Sequence, residues 1–177
     1  MATFQIDPAH TLAEFEAKHM MFTTVKGRFT RTAGEVVFDE ADPTRSSVVA
    51  TAETASVTTG DPNRDGHVRS PDFFDVERFP ILTFRSRRIE PGRSDGHYQI
   101  VGDLTIRDVT REVVFDAVHL GEGITPQGKV AVGFSATTTV NRKDFDLRWN
   151  VPLEKGGFLV GDNVKINLEV QAIKTAE

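Results

Sequence analysis

Apolar and polar residues alternate with a period of two along most of this chain, and helical i, i+3, i+4 stripes of any extent are absent. The first expectation is therefore antiparallel strand. From Leu12 to Lys18, Ala13, Phe15 and Ala17 alternate with Glu14, Glu16 and Lys18. Residues 46–58 are dominated by Val, Thr and Ala and predict about 40 Å of extended chain. Further strands are expected over 81–89, 97–107, 112–122, 129–140 and 164–174. In the last of these Val164, Ile166, Leu168, Val170 and Ala172 share one face, with Lys165, Asn167, Glu169 and Gln171 on the other. Turn residues separate the runs at Asp42-Pro43, at Pro91-Gly92 with Ser94-Asp95-Gly96, at Pro126-Gln127-Gly128 and at Gly156-Gly157. Two short stretches read as helical, 19–25 and 61–74, the second opened by Asp61-Pro62 in the order of an N-cap and a first helical turn.

About eight long antiparallel strands in one domain must hide their edges, and closing the sheet removes the edges altogether. The predicted class is all-β, a closed antiparallel barrel with one or two short helices, and 177 residues are enough for a single domain spanning 1–177. An eight-stranded barrel is wide enough for packed side chains or for one small ligand. The strand over 130–140 bears Gly133, Ser135, Thr137 and Thr139 on one face and Val132, Phe134, Ala136 and Thr138 on the other. That pattern suits an open lumen and equally suits close packing of a neighbouring element.

Composition narrows the function. A formal net charge of −5 disfavours a dedicated nucleic-acid binder. The absence of cysteine removes disulfides, thiolate metal sites and a Cys nucleophile together. Residues 1–21 carry charges throughout without an apolar run, so neither an export signal nor a membrane span is expected and the default location is cytoplasmic. Thirteen of the aromatic residues are Phe, leaving only Tyr98 and Trp149. Phe buries area without a polar handle, which favours an apolar interior over a sugar or nucleotide site.

His10, His19 and His67, with Asp65 nearby, are the candidates for a metal or a general base, but their spacing matches no established ligand set. Asp65 and His67 share a face if they lie on a strand and diverge on a helix. A Gly-x-Ser-x-Gly elbow and a Gly-rich phosphate loop are both missing. Arg85 and Arg87 alternate with Phe84 and Ser86, as on the wet face of a sheet. Ser70-Pro71-Asp72-Phe73-Phe74-Asp75 must cover two adjacent rings, and reads either as a lid over a lumen or as a packed cap.

Taken in order, the motifs resemble the YceI-like family along nearly the entire chain. The N-terminal part carries Asp7-x-x-His10-Thr11, Phe15-x-x-Lys18-His19-Met20, Val25-x-Gly27-x-Phe29 and Gly34. The middle adds Thr59-Gly60, Arg64-Asp65-x-His67, Ser70-x-Asp72-Phe73-Phe74-Asp75, Phe79-Pro80 and Phe84-x-Ser86. Later come Gly102-Asp103-Leu104-Thr105-Ile106 with Thr110, Gly133-Phe134-x-Ala136, Arg142-x-Asp144-Phe145 and Gly161-Asp162-x-Val164. Each fragment is weak and the ordered set is specific.

The resemblance implies a lipocalin-like barrel that binds a polyisoprenoid, an isoprenoid quinone or a fatty-acid derivative in its lumen, without catalysis and without a cofactor other than that lipid. It also implies a homodimer; the acidic charge balance argues for no nucleic-acid partner, and the chain itself for no stable membrane insertion, since no membrane-facing basic or amphipathic segment is legible. Phe15, Phe29, Phe38, Phe84, Leu104 and Phe134 are expected to line the lumen, with Phe22, Phe73 and Phe74 near the entrance. His19, Arg64, Asp65, His67 and Arg142 are expected to meet a head group. A buried methylene is worth about 0.8 kcal/mol, so an isoprene unit offers up to ~4 kcal/mol against an association cost of ~4–15 kcal/mol. A partly exposed polar contact contributes only ~0–1 kcal/mol, so the tail sets affinity and the polar residues orient it. Two positions depart from the family pattern, Asp108 and Asp146, each where Gly is usual, which puts the local turns in question. The competing readings are a hydrolase or isomerase acting on a lipid-like substrate through Asp65 and His67, with or without a metal, and a packed barrel whose outer face serves a protein partner or a second copy.

Overall fold

The computed structural model describes residues 1–176. Eleven strands and one α-helix make up its regular structure, together with four short 3-10 turns. The first three staves of the barrel are each broken in two. β1 (Ala2–Ile6) and β2 (Leu12–His19) flank a 3-10 turn at Pro8–His10; β3 (Thr23–Phe29) and β4 (Thr32–Phe38) follow each other directly; β5 (Ser47–Glu53) and β6 (Val57–Thr58) flank a 3-10 turn at Thr54–Ser56. β2 pairs with β3 and β1 with β4, then β4 with β5 and β3 with β6. Five unbroken staves complete the meander: β7 (Ile81–Pro91), β8 (His97–Ile106), β9 (Val109–Ile124), β10 (Val130–Asn141) and β11 (Asn163–Ala176). β11 pairs with β10 along its length, with β2 through residues 165–169 and with β1 through 172–176, which closes an eight-staved antiparallel barrel.

The family-like expectation of an eight-stranded barrel holds, and three local expectations change. Residues 19–25 are not helical: Met20 and Met21 take positive φ, the Phe22 amide donates to the His19 carbonyl at 3.0 Å, and β3 begins at Thr23. The helix α1 (Pro62–Arg69) covers only the first part of 61–74, capped by the Asp61 carboxylate. The run 46–58 breaks at Thr54, whose hydroxyl donates to the Phe79 carbonyl at 2.7 Å. At the turns in question, Asp146 itself adopts the left-handed conformation, whereas the tight turn before β9 places that strain on Arg107 rather than on Asp108.

β3 and β4 were not legible because their inward positions are interrupted by glycine. Gly27 lies under the ring of Phe15, and a β-carbon there would collide with Phe15 Cζ. Gly34 lies against Ile6 and the Val49 carbonyl. In both places a neighbour's side chain fills the space that the strand's own would occupy, so burial is real while the alternation disappears.

Two apolar clusters divide the interior. Phe4, Ile6, Val36, Phe38, Val132 and Ala172 pack solidly across one end, with Phe134 against them. Leu104, Ile106, Val113, Phe115, Phe145 and Leu147 form a wall along the other half.

Candidate functional site

Above the packed floor the barrel does not fill. An apolar cavity of about 550 Å³ runs from Ile6, Ala50 and Val170 at its base to His67, Trp149 and Leu159 at its opening. It falls within the ~300–1,000 Å³ range of small-molecule sites. Its walls come from alternate residues of the staves: Ala13 and Phe15 of β2, Val25 and Phe29 of β3, Ala50 and Ala52 of β5, Leu82 and Phe84 of β7, Leu104 and Ile106 of β8, and Val164 through Val170 on β11. The space exists because several inward positions, among them Ala13, Ala50 and Ala52, are too small to meet across the barrel.

Phe73 and Phe74 close part of the top. Phe74 stands edge-on to Phe15 and Phe29, with ring centroids 6.0 and 5.4 Å apart. Phe73 turns the other way, against His67 at 5.1 Å and Trp149 at 5.6 Å. Their loop is tied down, the Phe74 amide donating to Val68 and the Asp75 amide to Ser70. The two rings thus act at once as a packed cap and as a roof to the cavity.

Lys18, His19, Asn63, Arg64 and His67 line the opening. Asp61 starts α1 by accepting from the amides of Asn63 and Arg64, which brings Arg64 and His67 to the rim one turn apart. The Arg64 guanidinium donates to the Thr59 hydroxyl and carbonyl, both at 2.8 Å. His67 Nε2 lies 2.9 Å from the Asp72 carboxylate, and its ring meets Trp149 edge-on at 4.5 Å. The result is an apolar shaft with a cationic and amphiphilic collar, suited to a molecule with a long apolar tail and a polar end.

A family model of the YceI-like domain matches residues 4–172. The chain belongs to the YceI-like family. This YceI-like protein is 33% identical to a UPF0312 protein of Staphylococcus aureus strain N315 over 172 residues, 97% of each chain. Its fold is similar to that of BcnA from Burkholderia cenocepacia, with a TM-score of 0.80 at 24% identity, covering 94% of this chain and 98% of that one. It is also similar in fold to a polyisoprenoid-binding domain from Saccharophagus degradans implicated in plant cell wall breakdown, with a TM-score of 0.70 at 12% identity, covering 99% and 100%.

Of the residues expected in the lumen, Phe15, Phe29, Phe73, Phe74, Phe84 and Leu104 line the cavity of this YceI-like protein. Phe38 and Phe134 do not. They pack on each other at 5.5 Å and on His119 in the floor, where the barrel is solid. Phe22 sits at the tip of the β2–β3 turn, 81% exposed and pointing away from the lumen.

The expected head-group set also divides. His19, Arg64 and His67 reach the opening. Asp65 is buried on the opposite side of α1, accepting from the Thr59 amide at 2.6 Å and hydroxyl at 2.5 Å and from the Thr58 hydroxyl at 3.4 Å. The Thr59 hydroxyl, more than any other contact, holds its carboxyl below the usual carboxylate range. Asp65 and His67 therefore form no pair, and the helix separates them as period 3.6 requires. Among the described residues no three His, Asp or Glu side chains gather into a metal-binding cluster.

Arg142 borders the cavity but is only 4% exposed, and most of its donors are engaged by backbone carbonyls. Nε donates to the Gly161 carbonyl at 2.9 Å, Nη1 to those of Leu147 and Trp149 at 2.6 and 3.0 Å, and Nη2 to that of Val160 at 3.3 Å. Burial lowers its pKa, against the opposing pull of Asp162. Arg142 is a scaffold for the segment 147–161: four of its five N–H donors serve that loop's carbonyls, and Nη2 also faces the Asp162 carboxylate at 3.9 Å.

Sequence reasoning missed Trp149, Phe145, Leu147 and Leu159 as lining residues, since they lie outside the strands and carry no periodic signal. It also left the alternating face of β11 unassigned, although Val164, Ile166, Leu168 and Val170 were already visible as one face.

Proposed function

We propose that this protein binds a long apolar molecule, a polyisoprenoid, an isoprenoid quinone or a fatty-acid derivative, inside the barrel and carries or stores it without changing it chemically. The observation that carries the reading is the cavity itself: about 550 Å³ walled chiefly by aliphatic and aromatic side chains, with Lys18, His19, Arg64 and His67 among its lining. An apolar tail filling that shaft releases about 0.8 kcal/mol per buried methylene, so three or four isoprene units offset the ~4–15 kcal/mol cost of association. Lys18, His19, Arg64 and His67 then orient the polar end at the opening. The name of the Saccharophagus degradans domain, which shares the fold, supports the isoprenoid class.

Trp149 supplies the test, being the one tryptophan in the chain and part of the cavity wall. Titration with farnesol or a short-chain isoprenoid quinone is expected to change its emission saturably at one ligand per chain. An emission unchanged up to the ligand's solubility limit would overturn the proposal.

A further inference from the structure

Ten large apolar side chains are exposed on the described surface, and five of them, Met20, Met21, Phe22, Val151 and Phe158, lie on two adjoining loops at the cavity's opening. The loops are one unit. The Met20 amide donates to the Leu159 carbonyl at 2.8 Å, the Leu159 amide donates to Val151 at 2.9 Å, and His19 bridges to Val160. Arg142 anchors the second loop from beneath through the carbonyls of Leu147, Trp149, Val160 and Gly161. The apolar rim is thus held in place by backbone and buried guanidinium rather than displayed on a free tail.

We infer that this rim is a peripheral docking surface for an anionic lipid bilayer, through which cargo passes between membrane and cavity. The inference rests on the cavity reading above. His19, Leu159 and Val160 line the lumen while Met20, Met21, Phe22 and Phe158, next along the same two loops, are exposed, so apolar surface runs from the interior to the outside at the opening.

Phe22 is 81% and Phe158 53% exposed, and with Met20, Met21 and Val151 they stand together on two joined loops, whereas Leu120 and Ile124 are exposed away from the opening. Lys18, Arg148 and Lys155 on these two stretches outnumber the single carboxylate Glu154, in a chain whose net charge is −5. Arg148 is paired with Asp146 at 2.9 Å, and Lys18 donates to the Thr24 hydroxyl at 2.8 Å, which leaves Lys18 and Lys155 as the cations of these two stretches without a carboxylate partner. Apolar insertion assisted by attraction to anionic lipid is the combination that binds proteins to bilayer surfaces. A second copy seated on the same patch would seal the opening that exchange requires, so the bilayer is the better fit.

The test is flotation of the purified full chain with phosphatidylcholine vesicles, with and without phosphatidylglycerol, alongside the double variant Phe22→Ser/Phe158→Ser. Both positions are exposed, and circular dichroism verifies that the variant folds. The wild type is expected to float with the phosphatidylglycerol vesicles, less so as salt rises. The variant should partition at least tenfold less while its Trp149 response to farnesol stays the same. Absence of wild-type flotation, or equal flotation of the variant, overturns the inference. So does a variant that floats unchanged but sediments as monomer where the wild type is a dimer, since the patch is then a contact between copies. The Trp149 titration separates the two proposals: a wild type that responds to farnesol without floating loses only the docking surface, and one that floats without responding loses only the cargo.

Discussion

Ala50→Phe places a ring where the cargo is proposed to lie. Ala50 faces inward on β5, in register between Gly34 and Phe84, and lines the cavity. The added phenyl group displaces about one five-carbon unit of ligand, which at ~0.8 kcal/mol per methylene costs up to ~4 kcal/mol of binding. At 1.4 kcal/mol per factor of ten, the affinity for an isoprenoid should fall roughly 100- to 1,000-fold. Ala13→Leu, a smaller addition to the same lumen, should cost ~2 kcal/mol, roughly thirtyfold. Gln99→Phe, on the exposed outer face of β8, should leave binding alone. The assay is the Trp149 titration, with thermal unfolding to verify that each variant is folded. Folded Ala50→Phe and Ala13→Leu proteins that bind as tightly as the parent would refute a lumenal site.

Other perturbations separate scaffold from site. Arg142→Met leaves the carbonyls of Leu147, Trp149 and Gly161 without that donor, Val160 keeping Asn150, and should cost ~3–5 kcal/mol, read as a fall in Tm of roughly 10 °C. His119→Phe should do the reverse: His119 Nε2 is buried without a partner between the rings of Phe38 and Phe134, so a third ring removes an uncompensated polar atom and should raise stability by ~1 kcal/mol in chemical denaturation. Asp65→Asn should destabilise by ~2 kcal/mol near neutral pH. Because the Asp65 carboxyl is depressed in the folded protein, its contribution is complete above its unfolded value of about 4 and is lost as pH falls through the lower folded value. The gap in Tm between parent and Asp65→Asn should therefore narrow as pH falls from 6 toward 3; a gap independent of pH would show that Asp65 does not act through its charge.

The barrel was legible because most staves keep the period of two on both faces, as β11 does from Val164 to Ala172. It was illegible where a partner's side chain does the burying, as Phe15 does over Gly27. The cavity residues divide along the same line. Phe15, Phe29, Phe84 and Leu104 lie on alternating strands, and their inward direction follows from parity. Parity alone does not say how far along the barrel a residue sits, and so Phe38 and Phe134, which also face inward, lie in the packed floor. The polar residues were harder still, because Arg142 and Asp65 are the kinds of side chain that hold a head group and equally the kinds that hold a loop. Only their partners, the carbonyls of 147–161 and the hydroxyls of Thr58 and Thr59, distinguish the two roles.

The proposed function is tested most directly by organic extraction of freshly purified protein and mass spectrometry of the extract, with a mock purification beside it. A near-stoichiometric isoprenoid or acyl species, absent from the mock and reduced in Ala50→Phe, is the expected result and names the ligand. An extract without lipid, and still without it after incubation of the protein with prenyl lipids, would contradict the carrier reading.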